Sequence, residues 1–425
     1  MIDIKELRDN PDAYIQAAQN KRIDADVQRL VVVDEQLKTA KARLQDISTD
    51  KNRIGKSIPK LSGSEKDSAL ETLSRLKQEE EGFQEQVKQL QPEFDALMLQ
   101  VPQPADPDVP VGKDDTENVE LRREGEVPQF DFELKDHVQL GTSLGMIDIE
   151  RGVKLAGTRN YFLTGDGALL HWAVLRFAMD FMVARGYVPM SVPLLMRDEA
   201  MRGTGYYPGS EEQTYRMEKD DLSLVGTAEV PLTAYRMGEI LKAEELPLKY
   251  VALSSCFRRE AGAAGKDTYG LYRIHQFDKV EQVVICANSA EESHTFHEEI
   301  LANSEGVMRA LGLPYRVVVV CTGDLGRGQA KKYDIEAWMP SRGNYCETHS
   351  ASKFYDFQAR RMNLRYKDAQ TKKNFICHTL NNTVIASPRV LIPLMELYQN
   401  ADGSITVPEV LRLYMGGKDR IAASS

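Results

Sequence analysis

The residues with most chemical promise crowd into FRREAGAAGKDTYGLYRIHQFDKVE, residues 257–281. Arg258 and Glu260 sit two apart at the end of a strand-like run, a spacing that directs both side chains to one face. A loop of small residues follows (AGAAGKDTYG), then a second strand-like run with Arg273, His275 and Gln276. A hairpin with an arginine on each limb can hold a phosphate, while the neighbouring carboxylate accepts hydrogen bonds from a base or an amine. Three more clusters have compatible chemistry. GTAEVPLTAY sets Thr227 and Glu229 two apart, able to share a face. YDIEAW and YCETHS place Glu336 and Glu347 on successive strand-like segments, where carboxylates among arginines suit an ammonium group or Mg²⁺. In HTLNNTVIASPRVLIPLMELY the Asn and Thr residues lead into a helix, and Arg389 follows Pro388 near its start, where a helix N-terminus also favours phosphate.

Other motifs carry no such chemistry. YRVVVVCTGDLGRG has its glycines out of dinucleotide-binding order and no long helix clearly after it. HTFHEE offers two histidines three apart but no further ligand, and reads as an exposed helix. A G-x-x-x-x-G-K-[ST] loop is absent from the sequence, so any nucleotide must be held by arginines on a sheet.

The elements that must position these groups fall into two kinds. From about 27 to 100 the chain predicts two long helices. Leu30, Val33, Leu37, Ala40, Leu44, Ile47 and Ile54 form one seam in steps of three and four, interrupted by Lys51. Leu73, Leu76, Phe83, Val87, Leu90, Phe94, Leu97 and Val101 form the other, interrupted by Glu80. SIPKLSGSEKD between them can reverse the chain, giving an antiparallel coiled-coil hairpin. An arm of roughly 30 residues would reach about 45 Å. Residues 27–57 hold seven basic side chains against four acids, whereas 65–99 hold four against nine, so one limb is positive, as a phosphate-gripping limb should be. VPQPADPDVPVGKDD, 101–115, reads as a linker. Beyond it, β-branched runs and helical stretches alternate irregularly, which predicts an α+β domain around an antiparallel sheet.

Composition limits the setting. Five separated cysteines without a C-x-x-C pair fit a reducing compartment, and no zinc is expected. The start MIDIKELRDN is no secretory signal, and no apolar run approaches the about 18 residues of a membrane span. A cytoplasmic address is expected, with no membrane partner. The net charge of −10 argues against wholesale nucleic-acid binding, though not against a local basic patch.

With these residues in view, FRREAGAAGKDTYGLYRIHQFDKVE resembles the second signature motif of class II aminoacyl-tRNA synthetases, in the form found in the bacterial-type seryl-tRNA synthetase family. GYVPMSVPLLMRDEAMRGTGYYP resembles the first motif, with Pro193 at the family's dimer-interface proline, and NNTVIASPRVLIPLMELYQNADGSITVPEVLRLYMGG resembles the third. GTAEVPLT, GLPYRVVVVCTGD, KKYDIEAWMP and DFQARR are similar to this family's phrases, in its order, and the hairpin to its tRNA-binding arm.

The resemblance implies a class II antiparallel-sheet catalytic domain over 106–425 and a tRNA-binding helical arm over 1–105, in a homodimer. It implies that ATP and L-serine give seryl-adenylate, whose seryl group passes to tRNA(Ser); tRNA(Sec) is left open as a second acceptor. The roles it implies run as follows. Arg258 contacts the α-phosphate, Glu260 the adenine amine, Arg389 the distal phosphate of a bent ATP, and Arg273 substrate and adenylate. Glu347, Thr348, His349 and Ser350 belong to the ATP site, with Glu347 and Ser350 at the Mg²⁺. Thr227, Ala228, Glu229, Glu281 and Thr383 hold serine, and Arg29, Lys38, Lys41, Arg43, Lys51 and Arg53 are the arm's tRNA-facing candidates. Such a site works by positioning and charge stabilisation, since the substrate brings its own nucleophile. Serine differs from alanine by a hydroxyl that paired polar groups can select, whereas threonine must be excluded by size.

One stretch departs from the family. ETHSASKFY stands where most bacterial members read close to E-I-S-S-C-S-N-C: Glu347, Ser350 and Ser352 are kept, His349 replaces a serine, and Lys353-Phe354 replaces Asn-Cys. It reads as lineage variation, because every phosphate-holding arginine is present. Two rival readings stand beside this one. A carrier-loading paralogue would have no use for the arm, and a non-catalytic RNA-binding paralogue would have no use for Arg258, Glu260, Glu347 and Arg389.

Overall fold

The computed structural model describes residues 1–263 and 268–423. The chain divides into two compact units, Met1–Pro104 and Ala105–Ser425.

The first unit opens with two short helices, α1 (Ile4–Asp9) and α2 (Pro11–Asn20), and continues into the long pair α3 (Val27–Ser57) and α4 (Gly63–Gln100). Asp26 caps α3 by accepting a hydrogen bond from the Arg29 amide. The turn Ile58–Lys60 and Gly63, at φ +57°, reverse the chain between the long helices. Leu30, Val33, Leu37, Ala40 and Ile47 of the outgoing seam are buried, as are Leu76 and Val101 of the return, while its other seam residues are half-covered. The two polar interruptions of the seams meet each other: Lys51 Nζ lies 2.5 Å from Glu80 Oε2.

The charge asymmetry of this hairpin has a structural use beyond the one expected. Arg29 forks onto Glu93 (2.6 and 2.9 Å) and Arg43 onto Glu79 (2.7 and 3.0 Å) across the hairpin, and Lys41 donates to Gln91 at 2.7 Å. Lys38 and Arg53 face acids of their own helix, Glu35 at 3.4 Å and Asp50 at 2.8 Å.

The second unit is built on a mixed eight-stranded sheet. In chain order its strands are β1 (Val119–Glu124), β2 (Val188–Met190), β3 (Leu248–Phe257), β4 (Gln276–Cys286), β5 (Tyr315–Val319), β6 (Lys331–Met339), β7 (Asn344–Tyr355) and β8 (His378–Ser387). They lie side by side as β1-β5-β6-β7-β8-β4-β3-β2, every pair antiparallel except β2 with β3. The helices α5 (Asp166–Val183), α7 (Ala290–Ala310) and α8 (Leu391–Leu397) cover one face; the short α6 (Glu229–Ala234) lies elsewhere in the unit. The main core joins Val174 and Ala178 of α5, Ile300 and Val307 of α7 and Leu394 of α8 to Val280 and Val284 of β4 and Ile335 of β6. With period-two alternation, Phe277, Lys279 and Glu281 of β4 then face the other side, which carries the site.

Two sequence expectations are corrected. HTLNNT is itself a strand, the buried central β8, and the chain reaches the helix α8 only after Pro388 and Arg389. Thr379 bonds to Gln358 (2.7 Å) and Asn382 to Ser304 (2.8 Å), while Asn381 Nδ2 and Asn382 Oδ1 are buried without a hydrogen-bond partner among the described residues. Nor is HTFHEE wholly exposed. His297 is buried, stacked 4.7 Å from the Tyr333 ring, and its Nε2 lies 3.0 Å from the Ala351 carbonyl oxygen. The linker has no helix or strand over 101–113, yet it is packed down: Asp106 pairs with Lys353 and Asp108 with Lys331, each at 2.5 Å. None of the described helices is long and apolar enough to cross a membrane.

Candidate active site

The arginine–glutamate motif is assembled by the β3–β4 hairpin, with different local geometry from that expected. β3 stops at Phe257 and β4 begins at Gln276, so Arg258, Glu260 and Arg273 are loop residues, and strand alternation does not aim them. Glu260 adopts φ +53°, a left-handed turn conformation that brings its carboxylate within 2.7 Å of Arg273 Nη1. The loop bases are pinned together: the Arg258 amide donates to the His275 carbonyl (2.9 Å), and His275 Nδ1 lies 3.0 Å from the Arg258 carbonyl. Arg258 also lies over the Phe277 ring, 5.2 Å from its centroid. The tip of the small-residue loop, 264–267, lies outside the described residues.

Arg258, Glu260, Arg273 and Gln329 form the wall shared by two cavities of about 430 and 260 Å³. The larger is bordered by Tyr206, Gln213, Glu229, Arg327 and Phe354, the smaller by Phe277, Lys279, Lys332, Glu347, Ser350, Thr383 and Arg389. The expected phosphate-holding groups therefore converge. Arg389 donates to the carbonyls of Tyr272 (3.2 Å) and Glu347 (3.0 Å), and its guanidinium lies 4.4 Å from the centre of the Tyr272 ring. Burial alone would raise the Glu347 carboxyl, but Arg389, Lys332, Arg258 and Arg273 hold it below the usual carboxylate range. Glu336, though its cross-strand partner, turns away to Arg316 at 2.5 Å.

β6 adds a pair with no counterpart in the expected set. Lys332 and Asp334 lie 3.2 Å apart, and burial first, then Glu347 and Asp324, lift the Asp334 carboxyl to about 7 against the pull of Lys332. Asp334 stands opposite Ser350 in register, and its Oδ1 has no hydrogen-bond partner.

The expected serine-holding residues form a second group. Glu281 is buried at the centre, in an ion pair with Lys279, with the hydroxyls of Thr227 and Thr383 at 3.3 and 3.5 Å. Thr227 Oγ1 also accepts from the Glu229 amide at 3.1 Å, and Ala228, buried, caps the start of α6 without a side-chain bond. Glu229 accepts from Gln358 at 2.8 Å; burial and then the Glu281 charge push its carboxyl up to about 7.

The departing segment is accounted for in part. Lys353 is buried and takes its ammonium to Asp106, away from both cavities. Phe354 borders the larger cavity beside Gly328, where an added Cβ would meet Phe354 at 3.1 Å and Phe357 at 2.5 Å. Thr348 and His349 border the smaller cavity but are bonded to each other (2.7 Å), and Thr348 also to the Ile335 carbonyl (3.1 Å). Burial lowers His349 to about 4, leaving its imidazole neutral. Sequence reasoning missed Tyr272, Phe277, Lys279, Gln329, Lys332 and Asp334. Period-two spacing along β4 and β6 could have found all but Tyr272 and Gln329.

Comparison with known proteins places this geometry in a class. Residues 213–398 match the class II tRNA synthetase core domain described for the G, H, P, S and T enzymes, so the two cavities belong to a class II synthetase core. Residues 1–104 match the seryl-tRNA synthetase N-terminal domain. A serine–tRNA ligase of Deinococcus radiodurans is 46% identical, over 99% of this chain and 98% of its own. The crystal structure of a seryl-tRNA synthetase from Pyrococcus horikoshii complexed with ATP superimposes with a TM-score of 0.94 at 35% identity, covering 100% of both chains. That of a cytoplasmic serine–tRNA ligase from Naegleria fowleri with AMP gives 0.87 at 32%, over 98% of this chain and 96% of that one. The chain belongs to the seryl-tRNA synthetase family, class II ligases.

Proposed function

We propose that this chain attaches L-serine to tRNA(Ser) in two steps at the paired cavities. A serine carboxylate oxygen attacks the α-phosphorus of ATP as the bond to pyrophosphate breaks; a ribose hydroxyl of the tRNA terminus then attacks the carbonyl carbon and AMP leaves. The observation that carries the reading is the shared wall, where Arg258, Glu260 and Arg273 stand between the cavity with Arg389 and Glu347 and the cavity with Glu229. ATP would occupy the smaller cavity, its phosphates on Arg258 and Arg389 and its base amine on Glu260. The serine ammonium would meet Glu229, with Thr227, Glu281 and Thr383 behind it. Catalysis is then alignment and charge stabilisation by fixed cations, with no protein nucleophile.

Glu347 and Ser350 fit Mg²⁺: both offer oxygen, the carboxylate is held ionised by its cationic surroundings, and the unpartnered Asp334 Oδ1 stands opposite Ser350. When bound, the ion would offset charge on the triphosphate. Among the described residues no cluster of three or more His, Cys, Asp or Glu is placed to hold a metal, so the triphosphate and water would complete its shell. The hairpin would grip tRNA(Ser) through basic side chains on its outgoing limb, Lys38, Lys41 and Arg53 foremost, since Arg29, Arg43 and Lys51 are neutralised by carboxylates across the hairpin, where Lys41 meets the uncharged Gln91. A homodimer would cover α5, where Leu169 and Trp172 are exposed. The cytoplasm suits five free cysteines.

The test is charging of a tRNA(Ser) transcript with labelled serine. Charging that needs ATP and is lost in Arg258→Ala and Arg389→Ala supports the reading, and charging unaffected by both substitutions contradicts it.

A further inference from the structure

Behind the smaller cavity, on the helix-covered face of the sheet, three strands place a row of polar residues in register. Ser255 of β3 lies opposite Asp278 of β4, and Asp278 opposite Ser387, the last residue of β8. One histidine from α5 closes the row. His171 is buried, with Nε2 3.0 Å from Asp278 Oδ2 and Nδ1 2.8 Å from Ser387 Oγ; Ser255 donates to the other Asp278 oxygen at 2.6 Å. Burial would raise the Asp278 carboxyl, but the bonds from His171 and Ser255 hold it below its ordinary value, so it is an ionised acceptor and the ring proton sits on Nε2. In the neutral ring Nδ1 is then the acceptor for the Ser387 hydroxyl.

Ser387 borders the smaller cavity and is followed by Pro388 and Arg389. The strand end that delivers Arg389 is therefore tied to α5 through one imidazole. A bulge explains how one strand serves both sides of the sheet. Between Val280 and Glu281 the register on β8 skips Val384, so Thr383 pairs with Glu281 at the serine-holding group while Ser387 pairs with Asp278 behind it.

We propose that His171 is a positioning residue for ATP, acting through Ser387 to fix the turn that carries Arg389. This deepens the proposed function and rests on its assignment of Arg389 to ATP phosphate. His171 borders a separate cavity of about 240 Å³ with Trp172, Gln276 and Asp278, so it touches the nucleotide only through the strand.

The experiment is serine-dependent pyrophosphate exchange on the full-length protein, with KM measured separately for ATP and serine. Three substitutions divide the network. His171→Gln keeps an N–H in reach of Asp278 but loses the acceptor for Ser387; His171→Asn keeps a group at the Nδ1 position but loses the bond to Asp278; Ser387→Ala removes the donor without opening a large cavity. A lost buried hydrogen bond predicts that His171→Gln and Ser387→Ala raise KM for ATP about five- to thirtyfold, with KM for serine within about twofold of the parent and His171→Asn close to it. Unchanged KM for ATP in both His171→Gln and Ser387→Ala, or KM for ATP and serine rising together in all three, would overturn the positioning role. Arg389→Ala separates the two layers. If it leaves KM for ATP unchanged, the phosphate assignment itself fails; if it raises KM while His171→Gln and Ser387→Ala do not, only the role of His171 fails.

Discussion

Glu229 carries the sharpest prediction at the residue scale. Its carboxyl is raised to about 7 by burial and then by Glu281, so below pH 7 it is protonated and loses its attraction for an ammonium. KM for serine should rise by about tenfold per pH unit below 7 while KM for ATP changes little. A flat serine profile between pH 5.5 and 8 would remove Glu229 from the ammonium site. The sign for stability is opposite to that of a salt-bridged acid. The folded state takes up this proton more readily than the unfolded one, so between the ordinary carboxylate value and 7 this group's contribution falls as pH rises. Glu229→Gln should therefore melt no lower than the parent at pH 8, while binding serine much more weakly; a large drop in melting temperature would show the carboxylate to be structural. Metal dependence belongs here too. EDTA should abolish pyrophosphate exchange and Mg²⁺ restore it, whereas exchange undiminished in EDTA would leave Glu347 and Ser350 without that role. At this scale the sequence was most informative about residue types and least about geometry. Arg258, Glu260 and Arg273 were found from their clustering, but a strand continued through Arg258 would have aimed them wrongly, because Glu260 sits in a left-handed turn. Gln329 and Tyr272 left no signal, since neither residue type nor period distinguishes a cavity wall from any other loop.

Two elements decide how the fold holds together, the hairpin and the central strand. Lys51 and Glu80 interrupt the apolar seams of α3 and α4, and they do so opposite each other. Both remain partly exposed, so their attraction is modest, and truncating either to Ala should cost about 0.2–1 kcal/mol. The double substitution to Leu should melt at or above the parent, because an apolar pair of similar size fills the seam without desolvating charge. Thermal denaturation checks both, and a double variant less stable than either single one would contradict the seam geometry. The long helices were legible because 3/4 spacing persists over many turns. The strand β8 was not, because HTLNNTVIAS is covered on both sides and shows no alternation, and its asparagines resemble a helix start until the bond from Asn382 to Ser304 of α7 is seen. The mixed, mostly antiparallel sheet followed from the irregular order of strand-like and helical runs, but its bulges did not.

For the whole molecule, the arm, the paired cavities and the exposed face of α5 make separable claims. Replacing Lys38, Lys41 and Arg53 with Ala should weaken tRNA(Ser) binding and flatten its salt dependence while leaving pyrophosphate exchange unchanged; equal tRNA affinity at two salt concentrations would assign the grip elsewhere. Trp172→Glu should convert the proposed homodimer to a monomer in light-scattering chromatography, and an unaltered mass would contradict an interface on α5. The central claim is serine activation on the shared wall of the two cavities, and amino-acid-dependent exchange of pyrophosphate into ATP without tRNA tests it most directly. Compared across serine, threonine, alanine, glycine and cysteine, exchange should be strong with serine and weak with the rest. Exchange with none of them, or a preference for another of the five, would contradict the account.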